Sequence, residues 1–346
     1  MADYYADGTA TGGGDAGTAD NPWEGEAGLQ TLLDTLTPGD TGYIRNTFTL
    51  TGALDLDGTT GTSVSAVKVI GTRTDSWTVD GTLARIDANG AAANCLVWGV
   101  GMQYWNFANV VFENATASGI KSAGTVTAYA TFTNCHFSDN TLHGFDCDVA
   151  ANMGNLVFVS CAFNDNGGQG LYGRANMFLI GCEAIGNAGV GITIASGAVI
   201  YCLAHNNGAN GGIYLTGTCA AVGCVSDGNT ADGILTTVGA CVFGCRLTNN
   251  GAWGMDPLAV GSAFHNFFGS GNGSGTIDSA SYIETEIKGA ETNLTTGAEW
   301  YEDQTNDKFN LKMGAAGFRT SVAIDADNDA VFSVGLPNVP IVRPKG

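Results

Sequence analysis

The sequence has 346 residues, including 52 glycines and only 6 prolines, and charged residues make up 13% of it, which is about half the usual share. The sequence has 13 basic and 33 acidic residues. The resulting formal net charge of −20 excludes a protein that neutralises nucleic acid phosphates. No run of about 20 apolar residues for membrane insertion occurs, no collagen-like Gly-X-Y period occurs, and charges are too few for a coiled coil. A turn-rich, β-rich protein remains.

The N-terminal residues predict an extended arm over 1–24, followed by a capping helix and a first strand over 25–50. The arm is rich in Gly, Ala, Thr and Asp and lacks the basic and apolar regions of a secretory signal. From Gly28 to Leu36, leucines recur at helical spacing, and the PGD turn then precedes the strand GYIRNTFTL. A helix here would cover the open end of a repeat stack.

An internal repeat of about 21 residues dominates the segment 51–275. Six cysteines are separated by 26, 21, 20, 22 and 21 residues, and an asparagine follows each of them five residues later. A glycine before an apolar residue completes each unit. The two resulting series are Cys135, Cys161, Cys182, Cys202, Cys224 and Cys245, and Asn140, Asn166, Asn187, Asn207, Asn229 and Asn250.

The repeat has the size of one coil of a parallel β-helix, in which equivalent residues of successive coils stack about 4.8 Å apart. A buried thiol packs well inside, and stacked asparagines tolerate the bend and hydrogen-bond from coil to coil. We therefore predict an all-β fold, a right-handed parallel β-helix (solenoid), with structural free thiols and no metal site. About eight coils lie between residues 96 and 275, and two or three less regular coils precede them.

Two details of the repeat are predicted from spacing alone. Asn266 lies 21 residues after Cys245 and replaces the cysteine of a degraded last coil. Cys219 and Cys241 are 22 residues apart and form a short second ladder. After about residue 276 the repeat stops, and three of the six prolines lie in the final ten residues, which predicts an extended C-terminal tail over 276–346.

The sequence resembles the pectate-lyase-like right-handed parallel β-helix superfamily. The resemblance is carried by the helix before PGDTGYIRNTFTL, the VKVIGT strand and the repeated Cys-x4-Asn-x3-Gly-apolar coil, over about residues 25–275. That superfamily includes pectate lyases, polygalacturonases, phage tailspike depolymerases, adhesins and non-enzymatic virion proteins, so it implies a fold and several functions. The Asn-Thr-Asp, Asp-Asp, Gly-His-Gly and Arg-Ile-Lys motifs of polygalacturonases are absent.

Candidate catalytic and binding residues lie just after the Gly-apolar step, where side chains should point outward. This places Asp146, Asp148 and Arg174 on one face. In a lyase like those of the superfamily, two carboxylates beside an arginine would hold Ca²⁺ and the arginine would abstract a sugar proton; the other interpretation is a surface ion pair of little energy. Tyr172 and Tyr214 on the same face suggest a glycan-binding surface.

Other acid–base groups are scattered. The four histidines have no evident acid–base partner by spacing. Glu113 and Glu183 are nearly three coils apart, which is too far for the roughly 5–9 Å separation of glycosidase carboxylates.

We predict a non-enzymatic structural protein: a phage virion decoration, fibre or spike protein, or an extracellular fibre subunit. We expect it to be made in the cytosol and to act in the virion or outside the cell. Its expected partners are copies of itself, with the resemblance to tailspikes implying a homotrimer, and other virion or fibre proteins. No cofactor is expected. Two alternatives stay open: a polysaccharide lyase or depolymerase, with Ca²⁺, and a glycan-binding adhesin.

Overall fold

The computed structural model describes residues 1–9, 16–57, 61–73, 76–99, 102–123, 129–147, 155–237, 239–258, 263–265 and 268–277, and four short strands after them. Within these residues, three sheets of parallel strands wind around one hydrophobic core. Each coil runs from sheet 1 to sheet 2 to sheet 3 and then enters sheet 1 of the next coil. The predicted all-β parallel β-helix is confirmed.

The three sheets are defined by the following strands. Sheet 1 contains Leu54–Leu56, Leu96–Trp98, Ile120–Ser122, Phe145–Cys147, Ile213–Leu215, Ile234–Thr236, Trp253–Pro257 and Gly275–Ile277. Sheet 2 contains Asp3–Asp7, Thr41–Arg45, Val67–Gly71, Trp105–Ala108, Ala130–Thr133, Leu156–Val159, Cys219–Val222, Cys241–Phe243 and Ala263–His265. Sheet 3 contains Thr47–Thr49, Ala84–Asp87, Val110–Glu113, His136–Ser138, Ala162–Asn164, Glu183–Ile185, Leu203–His205, Val225–Asp227, Arg246–Thr248 and Phe268–Ser270. Two long strands, Leu171–Ile180 and Ile192–Ile200, pass from sheet 1 into sheet 2.

The number of coils agrees with the sequence repeat. Sheet 3 has ten strands. Two of them, Thr47–Thr49 and Ala84–Asp87, precede residue 96 and belong to the less regular coils. The other eight lie between residues 96 and 275, so the predicted count is confirmed.

The one helix in the described part of the chain, Gly25–Thr35, caps the N-terminal end of the core. Its leucines Leu29, Leu32 and Leu33 are buried because they share one face. The fit against the sheet 2 strand Thr41–Arg45 is close: a Cβ on Gly42 would lie 2.6 Å from Cδ2 of Leu32. A bulkier residue at that position would push the helix away from the core.

The first predicted strand, GYIRNTFTL, is two strands, Thr41–Arg45 in sheet 2 and Thr47–Thr49 in sheet 3. Asn46 between them has φ 66°, in the left-handed region that asparagine tolerates, and turns the chain from one sheet to the next. Within the predicted arm, Asp3–Asp7 pairs in parallel with Thr41–Arg45 and with Trp23–Glu24.

The predicted cysteine ladder is confirmed, and all six of its thiols are buried and free. Each lies one residue after the turn from sheet 2 to sheet 3. Five of the six contact a carbonyl of the preceding coil; for example, the Sγ atoms of Cys161 and Cys182 lie 3.4 Å from the carbonyl oxygens of Phe132 and Phe158. Burial raises the pKa of the Cys161 thiol, so it stays protonated. These cysteines therefore act as small apolar residues.

The second cysteine ladder was wrongly predicted. Cys241 pairs with Ala220, not with Cys219, because the register advances by 21 residues per coil here and the two cysteines are 22 apart. A shift of one residue turns a side chain to the opposite face of a strand. Cys219 is buried in the core, whereas Cys241 lies on the outer face of sheet 2 and is half-buried.

The predicted asparagine ladder is confirmed, and all six amides are buried. Each Nδ2 donates to Oδ1 of the asparagine in the next coil at 2.8–3.0 Å. The same Nδ2 also donates to a backbone carbonyl of the preceding coil. Each Oδ1 after the first accepts from both the Nδ2 and the backbone N–H of the preceding asparagine. Asn272 continues the series, because its Oδ1 accepts from Asn250 Nδ2 at 2.9 Å. The ladder therefore satisfies a column of polar groups inside the apolar core.

The register of the last coil differs from the prediction by one residue. Arg246 pairs with Phe268, so the position equivalent to Cys245 falls one residue after Asn266. The assignment of Asn266 to the cysteine position was therefore wrong. Asn266 itself lies outside the described residues.

Two columns of stacked phenylalanines fill the middle of the core. In the sheet 3 column, the ring centroid of Phe137 lies 5.3 Å from that of Phe112 and 5.0 Å from that of Phe163. The sheet 2 column consists of Phe107, Phe132 and Phe158, with neighbouring centroids 5.5 and 5.0 Å apart. Both columns follow from the stacking of equivalent inward positions in adjacent coils.

After Ile277 the structure describes two antiparallel strand pairs, Tyr301–Asp303 with Lys308–Leu311 and Ala323–Ile324 with Ala330–Val331. The other residues of the predicted C-terminal tail lie outside the described residues. In the described part of the chain, no helix is both long and apolar enough to cross a membrane.

Candidate functional site

The predicted outward face lies on sheet 1, where one side chain of each coil belongs to a single row. The strand register aligns the row as Asp55, Val97, Lys121, Asp146, Tyr172, Thr193, Tyr214, Leu235 and Asp256. Asp146, Tyr172 and Tyr214 therefore share one face, as the spacing indicates. We call this series the sheet 1 row.

The carboxylate of Asp146 forms an ion pair with the ammonium group of Lys121 in the preceding coil. The Asp146 side chain is only 6% exposed, whereas that of Lys121 is 42% exposed. A buried carboxylate needs a compensating charge, and Lys121 supplies it. This pair is not the one considered from the sequence, and it reduces the negative charge that Asp146 could offer a cation.

The side chains of Arg174 and His143 lie beside Tyr172. Arg174 Nη2 donates to Tyr172 Oη at 3.1 Å, and the guanidinium carbon lies 5.9 Å from the ring centroid. The ring of His143 lies 5.5 Å from the Tyr172 ring, and its Nδ1 accepts from the Gln169 backbone N–H at 3.0 Å. That hydrogen bond leaves the proton of a neutral His143 on Nε2. The cluster offers donors and an aromatic face to a polar ligand.

The proposed partner of Arg174, Asp148, lies outside the described residues. Among the residues that the structure describes, no three His, Cys, Asp or Glu side chains converge on a point that could hold a metal ion. Ca²⁺ requires six to eight oxygen ligands. A calcium site on this face therefore stays a prediction that depends on residues beyond Asp146.

Thr193 lies in the sheet 1 row between Tyr172 and Tyr214 and is 3% exposed. None of the described residues makes a hydrogen bond with its Oγ1. The two tyrosines are two coils apart, which corresponds to about 9.6 Å at the usual strand spacing. The row thus presents two aromatic side chains separated by a small hydroxyl residue.

The outer face of sheet 3 carries a second set of charged groups. Arg85 contacts Glu113 with two nitrogens, including Nε to Oε1 at 2.7 Å. Burial raises the pKa of the Glu113 carboxyl, and Arg85 opposes that rise. Three coils separate Glu113 from the strand of Glu183 along the sheet, in agreement with the predicted separation.

His205 has an acid partner that the sequence interpretation missed. Its Nδ1 lies 3.1 Å from Oδ2 of Asp227 and 3.0 Å from the carbonyl oxygen of the same residue, in the next coil. Both neighbours are acceptors, so Nδ1 carries the proton and Nε2 is left as the basic atom of a neutral imidazole. The 22-residue separation equals the coil advance between these strands, and this signal was present in the sequence.

A hydroxyl holds the same carboxylate in its ionised form. Thr248 Oγ1 donates to Asp227 Oδ1 at 2.6 Å, and this bond is the largest of the effects that lower the Asp227 pKa. Since the folded pKa lies below the unfolded one, the group contributes stability at neutral pH, and this contribution is lost as the pH falls through the folded pKa.

We expect Thr248→Val to raise the Asp227 pKa and to lower the free energy of unfolding at pH 7 by about 1–2 kcal/mol. The difference from the parent should vanish at a pH low enough to protonate the folded carboxylate. Urea denaturation between pH 2.5 and 7 measures this difference, with Thr230→Val, an exposed threonine of the next turn, as the control. A cost that does not change with pH would contradict the assignment.

The outer face of sheet 2 carries two adjacent apolar rows over five successive strands, Leu156–Val159, Leu171–Ile180, Ile192–Ile200, Cys219–Val222 and Cys241–Phe243, with the polar Asn176 and Ser196 beside them. The register aligns its outward side chains, all half-buried or exposed, in two rows. We call this surface the apolar face; it consists of Val157, Val159, Phe178, Ile180, Ala198, Ile200, Ala220, Val222, Cys241 and Phe243. None of its residues is charged. Exposed contiguous apolar surface of this kind marks interaction sites.

The parallel coils, the cysteine and asparagine ladders and the three outer faces define a protein of the parallel β-helix class. The family model described as "Right handed beta helix region" matches residues 94–272, just over half of the chain. The chain therefore belongs to the right-handed β-helix family. No curated protein sequence matches it significantly.

Solved structures with the same fold have low sequence identity to this chain. Pectate lyase Pel9A superimposes with a TM-score of 0.57 at 14% identity, over 93% of this chain and 94% of that one. ORF18 of Geobacillus virus E2 gives a TM-score of 0.49 at 13% identity, over 81% of this chain and 61% of that one. The A-module of the Azotobacter vinelandii mannuronan C-5 epimerase AlgE4 gives 0.44 at 13% identity, over 81% and 98%. The similarity to Pel9A supports the pectate-lyase-like fold.

Proposed function

We propose that the chain is a non-enzymatic structural subunit of a larger assembly, a decoration, fibre or spike protein of a phage virion or a subunit of an extracellular fibre. Its place of action would be the virion or the extracellular space. Its partners would be copies of itself, as a homotrimer, and other proteins of the particle or fibre. The proposal involves no cofactor.

The observation that carries this proposal is the apolar face. Burying apolar surface is the main favourable term in protein association. A chain with a net charge of −20 has few surfaces at which another acidic or neutral protein can dock without charge repulsion, and this face is one of them. The continuous ladders behind it give a stiff support of the kind that a fibre or spike subunit needs.

The proposal predicts that the intact chain cleaves no glycan. We expect a panel of acidic and neutral polysaccharides, incubated with the purified protein with and without Ca²⁺, to yield no new reducing ends and no unsaturated uronates. Immunogold electron microscopy of the native source should place the protein on particles or filaments. Glycan cleavage by the purified chain would contradict the proposal, and so would finding the protein only in free form.

A second candidate function, a polysaccharide lyase or depolymerase, is favoured by Asp146 and Tyr172 in the sheet 1 row and by Arg174, which donates to Tyr172. In that case the arginine would take a sugar proton while Asp146 and Asp148 held Ca²⁺. Arg174→Ala would then abolish cleavage, and Arg246→Ala, another exposed arginine, would not. The absence of products from the parent chain over the whole glycan panel would rule this candidate out.

The same row supports a third candidate, a glycan-binding adhesin. Tyr172 and Tyr214 could stack on sugar rings. Glycan-array binding that is lost on replacing both tyrosines with alanine, without any cleavage, would support it.

A further inference from the structure

We infer that the apolar face binds the apolar face of other copies of this chain, so that the rods associate side by side. This inference rests on the proposed function, since it names the partner of the contact surface on which that function depends. Three observations support a second copy as the occupant: the charge of the chain, the size of the face and the position of its most exposed side chains.

Charge restricts where two copies can meet. Each copy carries a net charge of −20, and like charges repel over a Debye length of about 8 Å at physiological salt. The outer faces of sheets 1 and 3 include charged side chains such as Asp256, Glu183 and Arg85. The apolar face is uncharged over all five of its strands, so copies joined there keep their acidic surfaces apart.

The side of the rod is large enough for such a contact. The eleven strands of sheet 2, about 4.8 Å apart and about 13 Å wide, give roughly 700 Å² of planar surface per copy, near the lower bound for stable complexes. The apolar face supplies about half of this area. Towards the N-terminus, the same outward positions are occupied by Lys68, Asn106, Thr131 and Thr133, together with the apolar Ile70 and Ala108. An apolar centre with a polar margin is the usual anatomy of a protein interface.

Three large apolar or aromatic side chains of this side are exposed. Ile180 is 41% exposed, Phe243 is 45% exposed and Tyr201, at the adjoining corner, is 70% exposed. The Tyr201 ring packs against the next coil: a Cβ on Gly223 would lie 2.4 Å from Cε1. Glycine at that position therefore leaves room for a fixed aromatic ring at the edge of the face. Tyrosine is enriched in interfaces.

The test compares the full-length parent with Ile180→Asp. Sedimentation should show the parent as a multiple of its 35.4 kDa chain, with a trimer expected, and the variant as a monomer at the same concentration. A carboxylate buried in an apolar contact should weaken association at least about 100-fold. Ile180→Ser, which adds no charge, should weaken it less and serves if the aspartate variant does not fold.

Cys241 provides an independent readout on the face itself. Nine of the cysteines are buried, whereas Cys241 is half-buried, so a maleimide reagent reports mainly on this residue. Association should protect Cys241 in the parent, and Ile180→Asp should expose it. Val225→Asp, a half-buried outward position of sheet 3, is the matched control and should leave both the mass and the protection unchanged.

Two outcomes overturn the inference. A monomeric parent with protected Cys241 would mean that another segment of the same chain, such as the apolar stretch VFSVGLPNVPIV, covers the face. A monomeric parent with reactive Cys241 would leave the face to a different protein. Neither result involves glycan cleavage, so failure of this inference is distinguishable from failure of the proposed structural function.

Discussion

Replacing Phe137 with alanine is expected to lower the free energy of unfolding by about 3–5 kcal/mol. The ring is fully buried and stacked between Phe112 and Phe163, and two further rings, those of Phe132 and Phe145, lie edge-on 5.8 Å away. Each coil is tied to its neighbours by backbone hydrogen bonds, so the coils cannot close over the space that the ring leaves. The cost therefore includes a cavity as well as the lost apolar transfer.

Urea denaturation followed by far-UV circular dichroism measures this effect. Leu142→Ala removes a side chain that is 48% exposed and should cost less than about 0.5 kcal/mol. Phe137→Leu should recover part of the loss, because it leaves a smaller cavity. Equal costs for the Phe137 and Leu142 alanine variants would show that the phenylalanine column does not support the core.

Asn187→Ala is expected to cost about 3–5 kcal/mol, mainly through hydrogen bonds that cannot be replaced. The native amide donates to the carbonyl of Phe163 at 2.7 Å and to Oδ1 of Asn207 at 2.9 Å. Its own Oδ1 accepts from the backbone N–H and Nδ2 of Asn166 at 3.1 and 2.9 Å. The alanine variant leaves these groups buried and unpaired, and no water can reach them without opening the stack.

Asn206, which precedes the next ladder residue Asn207, provides a matched control of the same type. Asn206 is exposed and has φ 53°, so Asn206→Gly should change stability by no more than about 1 kcal/mol. Asn187→Asp should be nearly as damaging as the alanine variant, because a carboxylate accepts hydrogen bonds but donates none. Similar stabilities for the Asn187 and Asn206 variants in urea titrations would contradict a structural role for the ladder.

The ladders could be predicted from the sequence because their positions restrict residue identity. The position after the sheet 2–sheet 3 turn accepts a small apolar side chain, and the next bend requires an amide that both donates and accepts. Cys135 and Asn140 therefore recur as identical residues at each coil. The inward positions require only a suitable volume, so Phe137 and Phe163 are followed by Ala184 and Ala204, and no repeated letter shows the column.

Errors of one residue arose where the prediction used the average period in place of the local one. The offset of Cys241 from Cys219 and the misplaced cysteine position at Asn266 are both of this kind. The pair of His205 and Asp227 was missed because the histidines were not compared with residues one local period away. Their 22-residue separation equals the local coil length.

The apolar face could also be predicted in part from the sequence. The segments NMFLIG, SGAVIY and TCAAVG are apolar at both inward and outward positions, as in parallel strands buried on both sides. Composition cannot say whether the outer cover belongs to the same chain. The identity of the cover has to be inferred from the positions of the ten outward side chains and from the absence of charge across five coils. Both are given by the structure.

Because of the asparagine ladder, the length of the rod can change only in steps of one coil. Every amide from Asn140 to Asn272 meets its neighbour through the same pair of contacts. Removing one whole coil would bring Asn166 against Asn207 in the geometry that each now has with Asn187. Gain or loss of chain in whole coils therefore alters the rod by about 4.8 Å at a time without disturbing its interior. A protein of this kind can therefore be lengthened or shortened in evolution by whole coils.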